Sequence, residues 1–195
     1  MAIKTEFQTE ADYSWVVTLA QAKAQLRIPT AITDEDTYHT DLIDVCGEHV
    51  QEMTGRVLAT RDVIMYVDSD DLDQSDDDGY IYLPYSPLTI SEVAVLNDAG
   101  TYTVTTDYEA DTRGKSPRIK ITASTVAKPN AVRITGSAGF AEGSCPRALA
   151  LAVKLLVVHF DENRAQTIAP VQLREIPIGV HDLVMPHRNI YIQGR

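Results

Sequence analysis

Residues 146–164 read P-R-A-L-A-L-A-V-K-L-L-V-V-H-F-D-E-N-R, and this stretch predicts a helix around which the rest of the chain is organised. Proline is tolerated in the first turn of a helix, where Pro146 would lie. Leu151, Leu155 and Val158 form a second apolar face, because they lie off the main stripe. The main stripe consists of five apolar residues at helical spacing: Leu149, Ala152, Val153, Leu156 and Phe160.

The second apolar face leaves two interpretations open. The helix is either enclosed on all sides by its own chain, or it packs its second face against a neighbouring copy of the protein. A membrane span is a poor fit, because a span needs about 20 consecutive apolar residues. This run is shorter and ends with Asp161, Glu162 and Arg164.

The composition limits the classes of protein that fit. A chain of 195 residues suits one domain, or one domain with a sizeable insertion. There are 17 Lys and Arg residues against 28 Asp and Glu residues, a formal charge of −11. This balance argues against binding DNA through its phosphates and suits a surface that DNA passes without being held. Cys46 and Cys145 match no C-x-x-C spacing, and no signal peptide is evident, so we expect reduced thiols in a protein made in the cytoplasm.

Two helices are predicted before the β-rich region. Thr18 is a suitable N-cap for a helix over residues 19–28. Asp34 is predicted to cap a longer helix that runs to about Thr54 and ends at Gly55. The predicted inward stripe of this second helix is Tyr38, Leu42, Val45, Cys46, His49, Val50 and Met53.

From Val57 to about Ser137 the pattern changes to alternation, which predicts strands. Asn97 to Gly100 is a plausible hairpin turn, and L-P-Y-S-P-L at residues 83–88 suggests an edge or a crossing between two sheets. The candidate strands are residues 57–67, 80–83, 90–96, 101–104, 108–110, 118–121 and 132–136.

These elements predict an α+β fold. Two N-terminal helices and one long C-terminal helix would form a small bundle, with an inserted antiparallel β-sandwich or barrel-like domain and an extended C-terminal tail. The predicted parts are 1–56 (helical), 57–140 (inserted β domain), 141–169 (central helix) and 170–195 (docking tail). The tail is apolar but interrupted by Pro and Gly, so it is expected to dock on its own domain or on a partner.

A search for chemistry in the sequence finds little. Seven aspartates lie between Asp68 and Asp78, but their spacing fails the EF-hand pattern, so we interpret them as a solvated acidic loop. Cys46 with His49, and His159 with Glu162, could each place two ligands on one helical face, whereas zinc needs three or four. We therefore predict no catalytic, cofactor or metal site. The alternative is a metal-dependent hydrolase that uses His159, Glu162 and the acidic loop.

The order of several segments resembles the head-tail connector, or head-completion adaptor, proteins of long-tailed bacteriophages and phage-like particles. The first is V-T-L-A-Q-A-K-A-Q-L-R-I at residues 17–28, and a helix then ends with Glu52, Thr54, Gly55, Arg56 and Leu58. The later segments are L-P-Y-S-P-L at 83–88, V-R-I-T-G-S-A-G-F at 132–140, H-F-D-E-N-R at 159–164 and I-P-I-G-V-H-D-L-V-M-P-H-R at 176–188. The acidic loop is not expected from this family.

This resemblance implies a structural, non-enzymatic virion protein. It would form a ring of subunits, expected to be a dodecamer, that docks beneath the portal protein at the capsid vertex. The ring would extend the DNA channel without binding DNA specifically, and a neck or tail-completion protein would follow it. On this hypothesis Leu151, Leu155 and Val158 make subunit contacts, and the portal is contacted by Leu183, Val184, Met185, Ile190 and Tyr191. A DNA-binding accessory protein is a further alternative, which salt-dependent retention on DNA would reveal.

Overall fold

The computed structural model describes residues 3–72, 78–114, 116–123, 125, 128–164 and 178–189. The chain divides into two compact units. We call residues 12–59 and 140–188 the helical unit, and residues 3–11, 60–139 and 189 the sheet unit. The architecture is therefore mixed α+β, and in the sequence the two segments of the helical unit precede and follow residues 60–139 of the sheet unit.

The helical unit begins with a 3-10 turn, Tyr13–Trp15, and helix α1, Leu19–Leu26. Thr18 caps α1 as predicted: its side chain accepts a hydrogen bond from the Gln21 amide at 3.3 Å, and the Gln21 side chain accepts one from the Thr18 amide. This reciprocal capping box satisfies two amides that the first turn would leave unpaired. The helix ends earlier than residue 28, because Arg27 adopts a left-handed conformation.

Helix α2, Asp36–Thr54, differs from the prediction at its start and in its inward face. Glu35 occupies the N-cap position without a side-chain hydrogen bond, so the predicted Asp34 cap is wrong. Gly55 ends the helix at φ 63°, as predicted. Val45, which was predicted to face inward, is 55% exposed. The buried residues of α2 are His39, Ile43, Cys46, Gly47, Val50 and Thr54.

Gly47 explains why the buried stripe of α2 is rotated from its predicted position. A Cβ atom at residue 47 would lie 2.4 Å from the Cδ1 atom of Tyr13, whose side chain is 2% exposed. The absence of a side chain therefore lets the Tyr13 ring pack directly on the helix backbone. The polar His39 and Thr54 complete the buried side, which hydrophobic periodicity alone would not select.

Helix α4, Arg147–Glu162, is the predicted central helix, and Pro146 lies at its N-cap position. It packs against α1 and α2. Phe160 is half-buried. The fully buried residues of α4 are Leu149, Ala152, Val153, Leu156 and Val157.

The C-terminal segment is not simply extended. Helix α5, Ile178–Val184, packs against α4, and a 3-10 turn, Met185–His187, follows it. Val180 is fully buried, and Arg56 Nε donates a hydrogen bond of 2.6 Å to the His187 carbonyl. Apolar burial on one side of a short helix thus outweighs the proline and glycine that argued against helix here. Residues 165–177 and 190–195 lie outside the described residues.

The sheet unit contains two antiparallel sheets of described strands. The larger has the order β1-β2-β8-β4-β5 and the smaller the order β3-β7-β6. Both are open, so the predicted barrel-like closure is wrong for the described strands. The strands are β1 Lys4–Phe7, β2 Arg61–Val67, β3 Ile81–Tyr82, β4 Leu88–Leu96, β5 Tyr102–Val104, β6 Tyr108–Asp111, β7 Arg118–Ile121 and β8 Val132–Ala138.

The turn at residues 97–100 joins β4 and β5 with Gly100 at φ 81°, as predicted, and residues 83–87 cross from one sheet to the other. The N-terminal strand β1 was not predicted; it pairs with β2 and belongs to the sheet unit. Strand β2 starts at Arg61, because residues 57–59 are buried in the helical unit.

The acidic stretch begins with a short helix α3, Ser69–Leu72, and residues 73–77 lie outside the described residues. Asp68 has a structural role, since its Oδ1 accepts a hydrogen bond of 2.5 Å from the Asn130 amide and lies 3.7 Å from Lys4 Nζ.

Candidate functional site

The residues predicted to contact a neighbouring subunit lie on one side of α4. Leu151 is 37% exposed, and Leu155 and Val158 are half-buried. Successive helical residues are separated by about 100°, which places these three opposite the buried stripe. We call Arg147, Leu151, Lys154, Leu155 and Val158 the outer face of α4. It presents apolar side chains that the helical unit itself covers only in part.

An open groove of about 560 Å³ borders the outer face of α4 within the helical unit. Trp15, which is 38% exposed, forms part of its wall. Its lining includes Ser14, Gln21, Cys145, Arg147, Leu151 and Lys154. The groove thus combines an exposed indole and an exposed leucine with two cations and the carboxylate of Glu142. Such a mixture suits contact with another protein surface.

Arg164 ties the C-terminal end of α4 to the start of α2. Its guanidinium donates two hydrogen bonds to the Glu35 carboxylate, at 2.7 and 2.8 Å, and two to Asp161 Oδ1, at 2.6 and 3.1 Å. It also stacks over the Tyr38 ring at 4.2 Å. The buried His39 places its Nε2 3.4 Å from Asp161 Oδ1. This cluster fixes α2 and α4 as an antiparallel pair, because the start of one helix meets the end of the other.

The pH dependence of stability provides a test of this cluster. The hydrogen bonds from Arg164 hold the pKa of Glu35 below its ordinary value of 4.5. A carboxyl whose pKa falls on folding stabilises the folded state above its unfolded pKa, and this contribution disappears as pH falls through the folded pKa. We expect Glu35→Gln to unfold at lower urea concentration than the wild type at pH 7. The difference should shrink as pH falls below 4.5.

The matched control for this test is Glu52→Gln, which removes an exposed carboxylate of the same helix that forms no ion pair among the described residues. Its urea midpoint should stay close to that of the wild type at both pH values. An equal effect of the two substitutions would show that the Arg164 contact does not stabilise the helical unit.

The residues predicted to dock on the portal have different environments. Val184 is 1% exposed and packs inside its own helical unit, so its side chain is not available to a partner in this arrangement. Leu183 is half-buried, and Met185 is 45% exposed. Ile190 and Tyr191 lie outside the described residues. Of the described candidates, Met185 presents the most accessible apolar side chain.

The thiol, imidazole and carboxyl groups considered for chemistry lie in different surroundings in the described part of the chain. Burial raises the pKa of the Cys46 thiol to about 12 and that of Cys145 to about 11, so both remain protonated at neutral pH. His159 contacts the Phe160 ring, and Glu162 is exposed. Among the described residues, no group of three or more His, Cys, Asp or Glu side chains could hold a metal ion. No described helix has the length and apolar character needed to cross a membrane.

Sequence reasoning missed two residues of these surfaces. Trp15 was not singled out, although an exposed tryptophan next to a helix cap is a typical component of a contact surface. Val45 was placed in the core, yet its neighbours Asp41, Glu48 and Glu52 are all charged and lie on the same side of α2. That charged surrounding is the signal that would have placed Val45 outside.

Comparison of this chain with known proteins finds similar solved structures but no similar family or curated sequence. No protein-family model and no curated protein sequence matches the chain. A chain from the virion of the native gene transfer agent (GTA) particle has a TM-score of 0.75 at 21% identity. A chain from the neck of the empty GTA particle, computed with C6 symmetry, has the same values. A chain from the neck of the native particle, computed with C12 symmetry, has a TM-score of 0.74 at 19% identity. Each match covers 98% of both chains.

Proposed function

We propose that this chain is a structural, non-enzymatic component of the neck of a phage-like particle, acting as a head-tail connector. The observation that carries the proposal is a shared fold over 98% of both chains with chains of GTA particles, two of which come from neck reconstructions. The segments that resemble connector proteins come from both the helical and the sheet units, in keeping with similarity over the whole chain.

Ring assembly is the second part of the proposal. The similar neck structures were computed with C6 and C12 symmetry, and a cyclic arrangement requires each subunit to present two different surfaces to its neighbours. The partly uncovered outer face of α4 suits one of these surfaces. A dodecamer is the expected stoichiometry. The net charge of −11 suits a channel that DNA traverses without specific binding.

The third part of the proposal assigns partners on the two sides of the ring. The C-terminal segment, with Leu183 and the exposed Met185, would dock on the portal protein, and Ile190 and Tyr191 would extend that contact. A neck or tail-completion protein would bind the opposite side. The protein would be made in the host cytoplasm and become part of the virion neck at the capsid vertex.

Electron microscopy of purified particles tests this function. Particles carrying a tagged version of the chain should show label at one vertex, between capsid and tail, with cyclic averaging that yields a ring. Particles that contain stoichiometric amounts of the chain in the capsid shell or the tail tube, and none at the neck, would contradict the proposal.

A substitution at Met185 tests the docking surface separately. We expect Met185→Asp to reduce incorporation of the chain into particles strongly, because a buried unpaired carboxylate in an apolar contact is costly. The isolated protein should keep its urea midpoint, since Met185 is 45% exposed. Val104→Asp is the matched control, because Val104 is 60% exposed on β5. Equal incorporation of both variants would remove Met185 from the docking surface.

A further inference from the structure

Two surfaces of the helical unit carry opposite charges that the described chain leaves unpaired. On the outer face of α4, the exposed Arg147 and the half-buried Lys154 lie on either side of Leu151 along the helix. On α2, the exposed Asp41 and Glu48 lie on either side of Val45. None of these four charged side chains forms an ion pair with any residue that the structure describes. We call Asp41, Val45, Glu48 and Glu52 the acidic face of α2.

The two faces have the same spacing along their helices. Asp41, Val45 and Glu48 occupy positions i, i+4 and i+7, and Arg147, Leu151 and Lys154 occupy the same three positions on α4. Residues at this spacing share one side of a helix. Each face therefore presents an apolar side chain in the centre, with two charges of one sign at its ends.

The acidic face carries repulsion that a cationic partner would relieve. Burial raises the pKa of the neighbouring Asp44, and the carboxylates of Asp12, Asp41 and Glu48 raise it further. Three further carboxylates thus surround Asp44. Val45 is 55% exposed between Asp41 and Glu48 on this face, which is an unfavourable place for an apolar side chain unless another surface covers it.

The positions of the two faces exclude contact within one chain. Helices α2 and α4 run antiparallel and pack on each other through their buried stripes, which puts their outer faces on opposite sides of the pair. A face on one side can meet its complement only on another molecule. Contact between two different surfaces of identical chains is head-to-tail, and it closes into a ring when the rotation permits.

We infer that the acidic face of α2 docks onto the outer face of α4 of a second copy of this chain. Val45 packs beside Leu151 and Trp15 at the edge of the groove, and the carboxylates of residues 41 and 48 pair with Arg147 and Lys154. The inference rests on the proposed ring, and it deepens that proposal by naming both sides of the contact. The opposite charges at the ends of the two apolar centres would set how α2 of one copy aligns along α4 of the next. Charge repulsion would disfavour pairing of the α4 faces of two copies with each other.

Cysteine cross-linking in assembled particles tests the contact. The variant Val45→Cys/Leu151→Cys is made in a Cys145→Ser background, because Cys145 lines the groove, whereas the fully buried Cys46 can stay. Each subunit then carries both halves of the contact. Mild oxidation should produce a ladder of covalent dimers, trimers and higher oligomers on a non-reducing gel. The single variants Val45→Cys and Leu151→Cys, in the same background, should give no ladder.

Charge reversal gives a second measurement that does not depend on the direction in which the helices cross. Asp41→Lys/Glu48→Lys and Arg147→Glu/Lys154→Glu should each lower incorporation into particles on the order of tenfold or more, since each places like charges in contact. The chain that combines all four substitutions restores opposite charges across every contact. Its incorporation should return to near the wild-type level, which a merely misfolded variant would not do.

The outcomes separate this inference from the proposed function. Wild-type chain at the neck, without a ladder and without rescue by the combined charge variant, would overturn the inference and leave the neck assignment intact. A dimer without higher species would also overturn it, because that pattern indicates a contact between like surfaces. Absence of the wild-type chain from particles would instead contradict the proposed function.

Discussion

Gly136→Ala is expected to destabilise the sheet unit by about 3 kcal/mol, at the upper end of the range for overpacking a well-packed interior. Gly136 lies in β8, between Val63 of β2 and Ile90 of β4. A Cβ atom there would be 2.2 Å from the carbonyl oxygen of Thr89. Because that oxygen belongs to the backbone of the adjacent strand, no side-chain rotation can relieve the overlap.

The environment of Gly136 makes relaxation difficult. The register of β4 against β8 shifts between Ile90 and Glu92, and the Ser91 hydroxyl donates a hydrogen bond of 3.0 Å to the Thr135 carbonyl. Such an irregularity brings the two backbones into a fixed local geometry, and glycine in a strand often marks that close approach. Moving β4 away from β8 would break the ladder hydrogen bonds between these two strands.

Urea unfolding followed by circular dichroism measures this effect. The control is Gly179→Ala in α5, where an added Cβ meets no atom within 4 Å and helix propensity favours alanine. That variant should be as stable as the wild type or slightly more so. If Gly136→Ala unfolded at the wild-type urea concentration, β4 and β8 could not approach as closely at this point as described.

The sequence correctly predicted those structural elements that are determined by residues close together in the chain. The Thr18 cap, the Gly55 helix end, the turn at 97–100 and the long apolar helix α4 each follow from residues within a few positions of each other. Four of the five residues predicted for the inner stripe of α4 are fully buried, because a sustained apolar period has few alternative interpretations. The exceptions are Phe160, which is only half-buried, and Val157, which is buried but was not predicted.

The sequence did not predict features that depend on contacts between distant parts of the chain. Strand β1 carries Lys4 and Glu6, which suggest no strand, and it exists because β2 offers an open edge. Lys23 was not predicted to be buried, yet it is 2% exposed and its ammonium donates hydrogen bonds to Asp36 at 2.5 Å and to the carbonyls of Thr30 and Ile32. A buried charge needs such partners, and they come from a loop whose path the sequence does not reveal. The outer face of α4 was predicted to contact a neighbour, and that contact stays a prediction.

The two faces of α4 should respond differently to the same truncation. We expect Leu156→Ala to cost about 3 kcal/mol of unfolding free energy, because Leu156 is fully buried and core Leu→Ala changes cost about 2–5 kcal/mol. Leu151→Ala should cost no more than about 1 kcal/mol, since its side chain is 37% exposed and loses fewer contacts within the chain. Urea unfolding of the purified variants compares the two directly.

Relative to its small effect on stability, Leu151→Ala should reduce incorporation into particles more than Leu156→Ala does. Leu151→Ala folds normally on this expectation but removes the apolar centre of the proposed contact, so its incorporation into particles should fall well below that of wild type. Leu155→Ala, a half-buried neighbour on the same face, should show an intermediate loss. If Leu151→Ala destabilised the isolated protein as much as Leu156→Ala, the second face of α4 would belong to the core of its own chain. If it changed neither stability nor incorporation, Leu151 would have no part in joining the subunits.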